Sequence, residues 1–173
     1  MKKLTHILFV FALSCTCASA QTAFDKVRCE SDIASAIIGQ RSPSQTVAFI
    51  ENRHKKIGLK HLGADEISNR LSSISWLICG KEFMTLEDRS TVRDAIPFPD
   101  HSKAAPAFSG LCKVNGRDSS DVFVGILDIS ADGDMLPVKS AWRIDQKTSK
   151  FVKVSTEGLQ CPRSGIYTVD GGM

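Results

Sequence analysis

The chain has 173 residues, of which 42% are hydrophobic, 24% charged and 7% aromatic, with six cysteines. That composition excludes an intrinsically disordered chain, a collagen-like or coiled-coil rod and a multi-span membrane protein. A formal net charge of +3 gives little support to binding of nucleic acid or of an acidic membrane surface.

Residues 1–20 read as an export leader. Met1-Lys2-Lys3 is a basic start, Ile7 to Leu13 is a short apolar run, and Ala18-Ser19-Ala20 offers the small residues a signal peptidase inspects. The apolar run is far shorter than the ~20 residues a spanning helix needs. Cleavage after Ala20 is favoured over a lipoprotein reading at Cys15 or Cys17, because Leu13 is bulky for the first and Cys15-Thr16 precedes the second. Lys2 and Lys3 leave with the leader and no acid does, so the remainder, residues 21–173, is close to neutral. It is expected to be a single α+β domain, periplasmic or secreted, burying roughly 70% of its unfolded surface.

The first half of that domain reads as helical. Ser31 is the expected N-cap of a helix carrying Ile33, Ile37 and Ile38 up to Gly39. Ser42-Pro43 is expected to open a second, with Val47, Ile50, His54 and Ile57 on one face and Gly58 as its stop. A third is expected from about Ala64 into the Leu71 region. Ser73 to Cys79 fits either periodicity, because Ile74, Trp76 and Ile78 alternate while Ile67, Leu71, Ile74 and Ile78 also suit a helix.

After Gly80 the pattern turns to strands. Glu82–Glu87 and Thr91–Ile96 form an expected hairpin, and Pro97, Pro99 and Pro106 mark an irregular crossing over residues 97–108. Ser109–Val114 and the apolar run Val122–Leu127 follow as strands. Val138, Ser140, Trp142 and Ile144 alternate with polar neighbours, and Gln146–Ser149 turns the chain into a strand at Phe151–Val154. The fold class expected is α+β, N-terminal helices packed on an antiparallel β-meander and stapled by disulfides.

Cys29, Cys79, Cys112 and Cys161 are even in number and widely spaced, with no C-x-x-C. In an exported chain that points to two structural disulfides rather than a zinc or redox site. The pairing Cys29–Cys79 with Cys112–Cys161 is favoured, since it staples the helical and sheet parts separately.

Four constellations were candidates for chemistry. The basic cluster Arg53-His54-Lys55-Lys56, with Lys60 and His61, is read as cations complementing a helix C-terminus rather than as an anion site. His54, His61, Asp65 and Glu66 lack the continuous helix that would converge them on a metal. Asp128, Ser130, Asp132, Gly133 and Asp134 begin like a calcium loop, but Lys139 stands where a bidentate Glu is required. Asp100-His101-Ser102, with Ser109 nearby, offers triad residue types in one loop, yet Ser109 lacks the first glycine of a nucleophile elbow.

No cofactor, metal ligand or catalytic residue is therefore assigned. The function expected is a non-enzymatic protein-binding module of inhibitor or immunity type, its partner another exported protein. The alternatives are a small envelope hydrolase using the Asp100-His101-Ser102 loop, and an accessory domain that binds a cell-wall polymer.

Overall fold

A computed structural model describes residues 22–166; the expected leader lies outside the described residues. About 50% of the described residues are strand, and the helices are few and short, so the α+β expectation holds only in part. Helix α1 (Ile33–Ile37) starts one residue later than expected: Asp32, not Ser31, is its N-cap, and the carboxylate accepts from the Ser35 amide. Helix α2 (Val47–Arg53) begins after Thr46 rather than at Pro43 and passes into a 3-10 turn over Lys55–Ile57. Gly58, with φ of 61°, ends it in the left-handed region.

The third helix expected near Ala64–Leu71 does not exist. Strand β1 (Lys60–Glu66) and strand β2 (Leu71–Ile78) occupy that stretch, joined by a turn in which the Ile67 and Ser68 amides donate to the Leu71 carbonyl. The helical spacing of Leu71 and Ile74 was fortuitous. Leu71 belongs to the core on one face of the sheet and Ile74 packs against the core on the other. The ambiguous stretch to Cys79 is strand up to Ile78.

Strand β3 (Lys81–Asp88) and strand β4 (Thr91–Pro97) form the expected hairpin and complete a four-stranded meander in the order β1-β2-β3-β4. After the irregular segment come β5 (Ala107–Val114), β6 (Arg117–Leu127), β7 (Met135–Asp145), β8 (Lys150–Val154) and β9 (Leu159–Pro162). Asn115 and Gly116, both at positive φ, make the tight turn into β6. In the second sheet β6 pairs with both β5 and β7, while β9 bridges the far ends of β5 and β7. These four strands thus close on themselves, and β8 extends the sheet from β7.

Three cores hold these layers together. Phe24, Val27, Ile33, Ile37 and Ile50 cover one face of the first sheet against Trp76, Ile78 and Phe83. Leu71, Met84 and Leu86 on its other face pack on Val124, Ile126, Ile144 and Phe151 of the second sheet. Inside the closed strands lie Phe108, Phe123, Leu127, Leu136 and the buried cysteine pair. The run Val122–Leu127 is almost continuously apolar because β6 is buried on both faces. Its one gap, Gly125, is required: a Cβ there would be driven into the Ser140 carbonyl of β7.

Disulfides join Cys29 to Cys79 and Cys112 to Cys161, the favoured pairing. The first ties the N-terminal layer to the end of β2, and the second ties β5 to β9. Among the described residues, no helix is long and apolar enough to cross a membrane.

Candidate functional site

The two ends of β3 hold the most organised polar groups. Along this strand Glu82, Met84, Leu86 and Asp88 share the face turned toward the second sheet, following the two-residue period. Each terminal acid engages a different part of the chain.

At the first end Glu82 clamps the proline-bracketed segment of residues 98–106. Phe98 is buried, its amide donates to the Glu82 carbonyl at 2.9 Å, and its ring packs edge-on to His101. The His101 Nε2 lies 2.8 Å from Glu82 Oε2, while Ser75 donates its hydroxyl to Oε1 at 2.6 Å. The hydrogen bond to Glu82 raises the His101 pKa above the usual histidine value, assisted by the charges of Glu82 and Asp100 and opposed by burial. Beyond His101 the chain reverses tightly: Ser102 and Ala105 exchange both backbone hydrogen bonds, at 3.0 and 3.1 Å. Ser102 Oγ also accepts from the Ala104 amide at 3.3 Å. Asp100, Ser102, Lys103 and Ala104 remain exposed on this fixed loop.

A nucleophilic relay needs the imidazole between hydroxyl and carboxylate. Here the carboxylate of Glu82 stands between Ser75 and His101, the reverse order, and Ser102 is occupied in its own turn. Asp100, His101 and Ser102 are thus neighbours in one loop without being brought into a relay.

The other sequence candidates separate. His54 is buried beside the N-terminal segment, with Nε2 at 3.4 Å from Thr22 Oγ1 and 3.7 Å from Asp25. Burial lowers its pKa, partly offset by Asp25. Burial pushes the Asp25 carboxyl up, but the Thr22 amide and the charges of Arg53 and His54 outweigh it, so it lies below the usual range. His61 packs edge-to-face on Trp76, and Asp65 and Glu66, as consecutive strand residues, point to opposite faces. Lys55 and Lys56 lie exposed in the 3-10 turn. Among the described residues, no group of three or more His, Cys, Asp or Glu converges as metal ligands would. In the calcium-like segment Asp128 accepts from the amide and hydroxyl of Ser130, and Lys139 approaches it at 3.7 Å. Arg163 donates to the carbonyls of Gly133 and Ala131, so a guanidinium already occupies that loop.

At the second end of β3 lies a hollow of about 530 Å³. Ser68, Arg70, Leu71, Asp88 and Arg93 of the first sheet line one wall, and the turn of residues 146–150 between β7 and β8 lines the other. Asp88 is 8% exposed and accepts from Arg70 at 2.6 Å, with Arg93 at 3.7 Å from the same oxygen. The hydrogen bond from Arg70 holds its carboxyl below the usual range against burial. Arg93 is the extra residue of a bulge, since Leu86 pairs with Asp94 and Glu87 already with Val92. Asp94 fastens the opposite wall, accepting from the Phe151 amide at 2.8 Å and from Lys150 at 3.2 Å.

Comparison with known proteins returns no matching family model, no similar curated protein and no similar solved structure. The site residues that sequence reading missed are Glu82, Arg70, Asp88, Arg93, Lys147 and Lys150. Of these, Glu82 and Asp88 left a trace in the sequence, as acids in phase with Met84 and Leu86.

Proposed function

We propose that this chain is an exported, non-enzymatic protein-binding module of inhibitor or immunity type, and that the loop of residues 98–106 meets its partner, another exported protein. The observation that carries this reading is the clamp of His101 on Glu82, which holds an exposed loop in one conformation before any partner arrives. Contact loops on rigid scaffolds lose less conformational entropy on association, and so retain more of their interaction energy as affinity. The leader-like start and the two disulfides, which suit an oxidising compartment, support the export half of the proposal.

The hydrolase alternative has less support: among the described residues the His101 ring bonds Glu82, and no serine hydroxyl is hydrogen-bonded to it. Cross-linking in the native envelope, followed by purification, tests the reading. Wild-type protein should retain one stoichiometric protein partner, and Lys103→Glu should lose it with an unchanged melting temperature. Repeated recovery of the chain alone overturns the module reading. Equal capture by wild type and Lys103→Glu removes the loop from it.

A further inference from the structure

The hollow at the far end of β3 is built differently from the loop, and its charge is unbalanced. Four cations line it, Arg70, Arg93, Lys147 and Lys150; Asp88 is the one acid among the lining residues and Asp94 pairs with Lys150 at 3.2 Å behind it, so the cations outnumber these acids four to two. Lys150 is directed to Asp94, and Lys147 takes part in no ion pair among the described residues. Asp88 is the fixed point. Nearly enclosed, it accepts from one edge of the Arg70 guanidinium through both its oxygens, from Nη2 at 2.6 Å and Nε at 3.4 Å, and draws Arg93 to 3.7 Å. One anion thus orders two guanidiniums along the same wall, and their remaining N–H groups are not spent on it.

The backbone contributes to this arrangement. The bulge at Arg93 breaks the β3–β4 register where the hollow opens; such bulges re-aim a side chain and are over-represented beside functional sites. The facing turn is held at both ends. Asp145 accepts from the amides of Lys147 and Thr148 at 3.0 and 3.2 Å, and Lys150 donates to the Arg93 carbonyl at 3.1 Å.

We propose that this hollow binds a phosphate monoester, with Arg93 and Lys147 as its ligating cations and Asp88 as the residue that positions the arginines. A phosphate monoester carries about −1.5 to −2 charge at neutral pH and offers three acceptor oxygens. It therefore offsets the excess positive charge better than a single carboxylate does, and a guanidinium fork matches its geometry. The lining fits the rest of such a ligand. At about 530 Å³ the hollow is much larger than a phosphate group, and Ser68, Thr148, Ser149 and Gln146 present hydroxyls and an amide to a polar, hydroxylated body. Leu71 is the one apolar side chain among the residues lining it.

The site lies at the opposite end of β3 from the loop and does not depend on the binding-module reading. Titration of isotopically labelled protein with glucose 6-phosphate, in buffer of physiological ionic strength, tests it by amide chemical shifts. Saturable shifts confined to residues 68–71, 88–93 and 146–150 are expected. Glucose should give none, and inorganic phosphate should move the same amides with weaker affinity, which separates recognition of the ester from recognition of the anion alone. Arg93→Ala and, separately, Lys147→Ala should weaken binding by on the order of ten-fold, the loss of one charge-assisted contact. Lys153→Ala, a lysine outside the hollow, should leave it unchanged. Lys147→Ala removes an exposed side chain, so it tests the site without touching the Asp88 cluster. No saturation by glucose 6-phosphate, shifts scattered over basic residues at large, or wild-type affinity in both variants overturns the proposal.

Discussion

Replacing His101 by alanine isolates the contact on which the loop depends. In the folded chain the His101 and Glu82 side chains are 18% and 12% exposed and 2.8 Å apart. A hydrogen bond to a charged group in such a setting contributes about 1.5–3 kcal/mol. His101→Ala also leaves Glu82 with only the Ser75 hydroxyl, so the upper part of that range is expected. At about 2–4 °C per kcal/mol for a domain near this size, the melting temperature should fall by roughly 5–10 °C.

The effect must also depend on pH, with a determined sign. The hydrogen bond to Glu82 raises the His101 pKa in the folded state above its unfolded value, so folding favours the imidazolium. The stabilisation is complete below the ordinary histidine pKa of about 6.5 and is lost as pH rises through the higher folded value. Melting curves of wild type and His101→Ala near pH 5.5 should therefore lie far apart, and the gap should narrow by about pH 9. Taking the difference between the two proteins cancels His54, whose lowered pKa gives the opposite slope. A double-mutant cycle with Glu82→Gln should recover most of the loss as coupling. A gap that stays constant or widens with pH, or a coupling energy near zero, would refute the clamp.

Gly125→Ala should prevent accumulation of soluble protein, because its Cβ has no room against the Ser140 carbonyl; expression with circular dichroism checks this. Phe108→Ala empties a fully buried position and should cost about 3–5 kcal/mol in urea unfolding. Replacing Cys112 and Cys161 together by alanine opens a closure with a sequence separation of 49 and should cost up to about 4 kcal/mol by the chain-entropy relation, read from the same experiment. His54→Gln should flatten the loss of stability as pH falls below about 6.5, because neutral buried His54 is harder to protonate folded than unfolded.

The sequence was legible where pattern and environment were both local. Alternation from Val138 to Ile144 identified β7, and the polar stretch between Glu87 and Thr91 identified the β3–β4 turn. Ala64–Leu71 misled because Ile67, Leu71 and Ile74 keep helical spacing, while the sheet sets Leu71 and Ile74 toward different cores. Strand β9 left no local signal. Leu159–Pro162 is only four residues long, and it is a strand because β5 and β7 receive it at their far ends. The sites were less legible for the same reason. His101 could be named as a candidate, but its partner lies 19 residues away on strand β3, and the hollow draws on the β1–β2 turn, β3, β4 and the β7–β8 turn. Charged side chains at such positions read as solvated surface until the topology brings them together.

The two ends of β3 should act independently. Glu82 and Asp88 are six residues apart on one strand, about 20 Å at the usual rise, and Met84 and Leu86 between them are fixed in the core. Each acid is satisfied by its own partners, His101 and Ser75 at one end and Arg70 with Arg93 at the other, and no side chain serves both. Perturbations separated by more than about 7–10 Å without shared partners add to within about 0.5 kcal/mol. The double variant His101→Ala with Arg93→Ala should therefore lose the sum of the single losses, and His101→Ala alone should bind glucose 6-phosphate as wild type does. A coupling above about 1 kcal/mol, or a change in phosphate affinity on loosening the loop, would mean that β3 shifts as a body between two packings. The well-packed side chains of Met84 and Leu86, 3% and 0% exposed, argue that it does not.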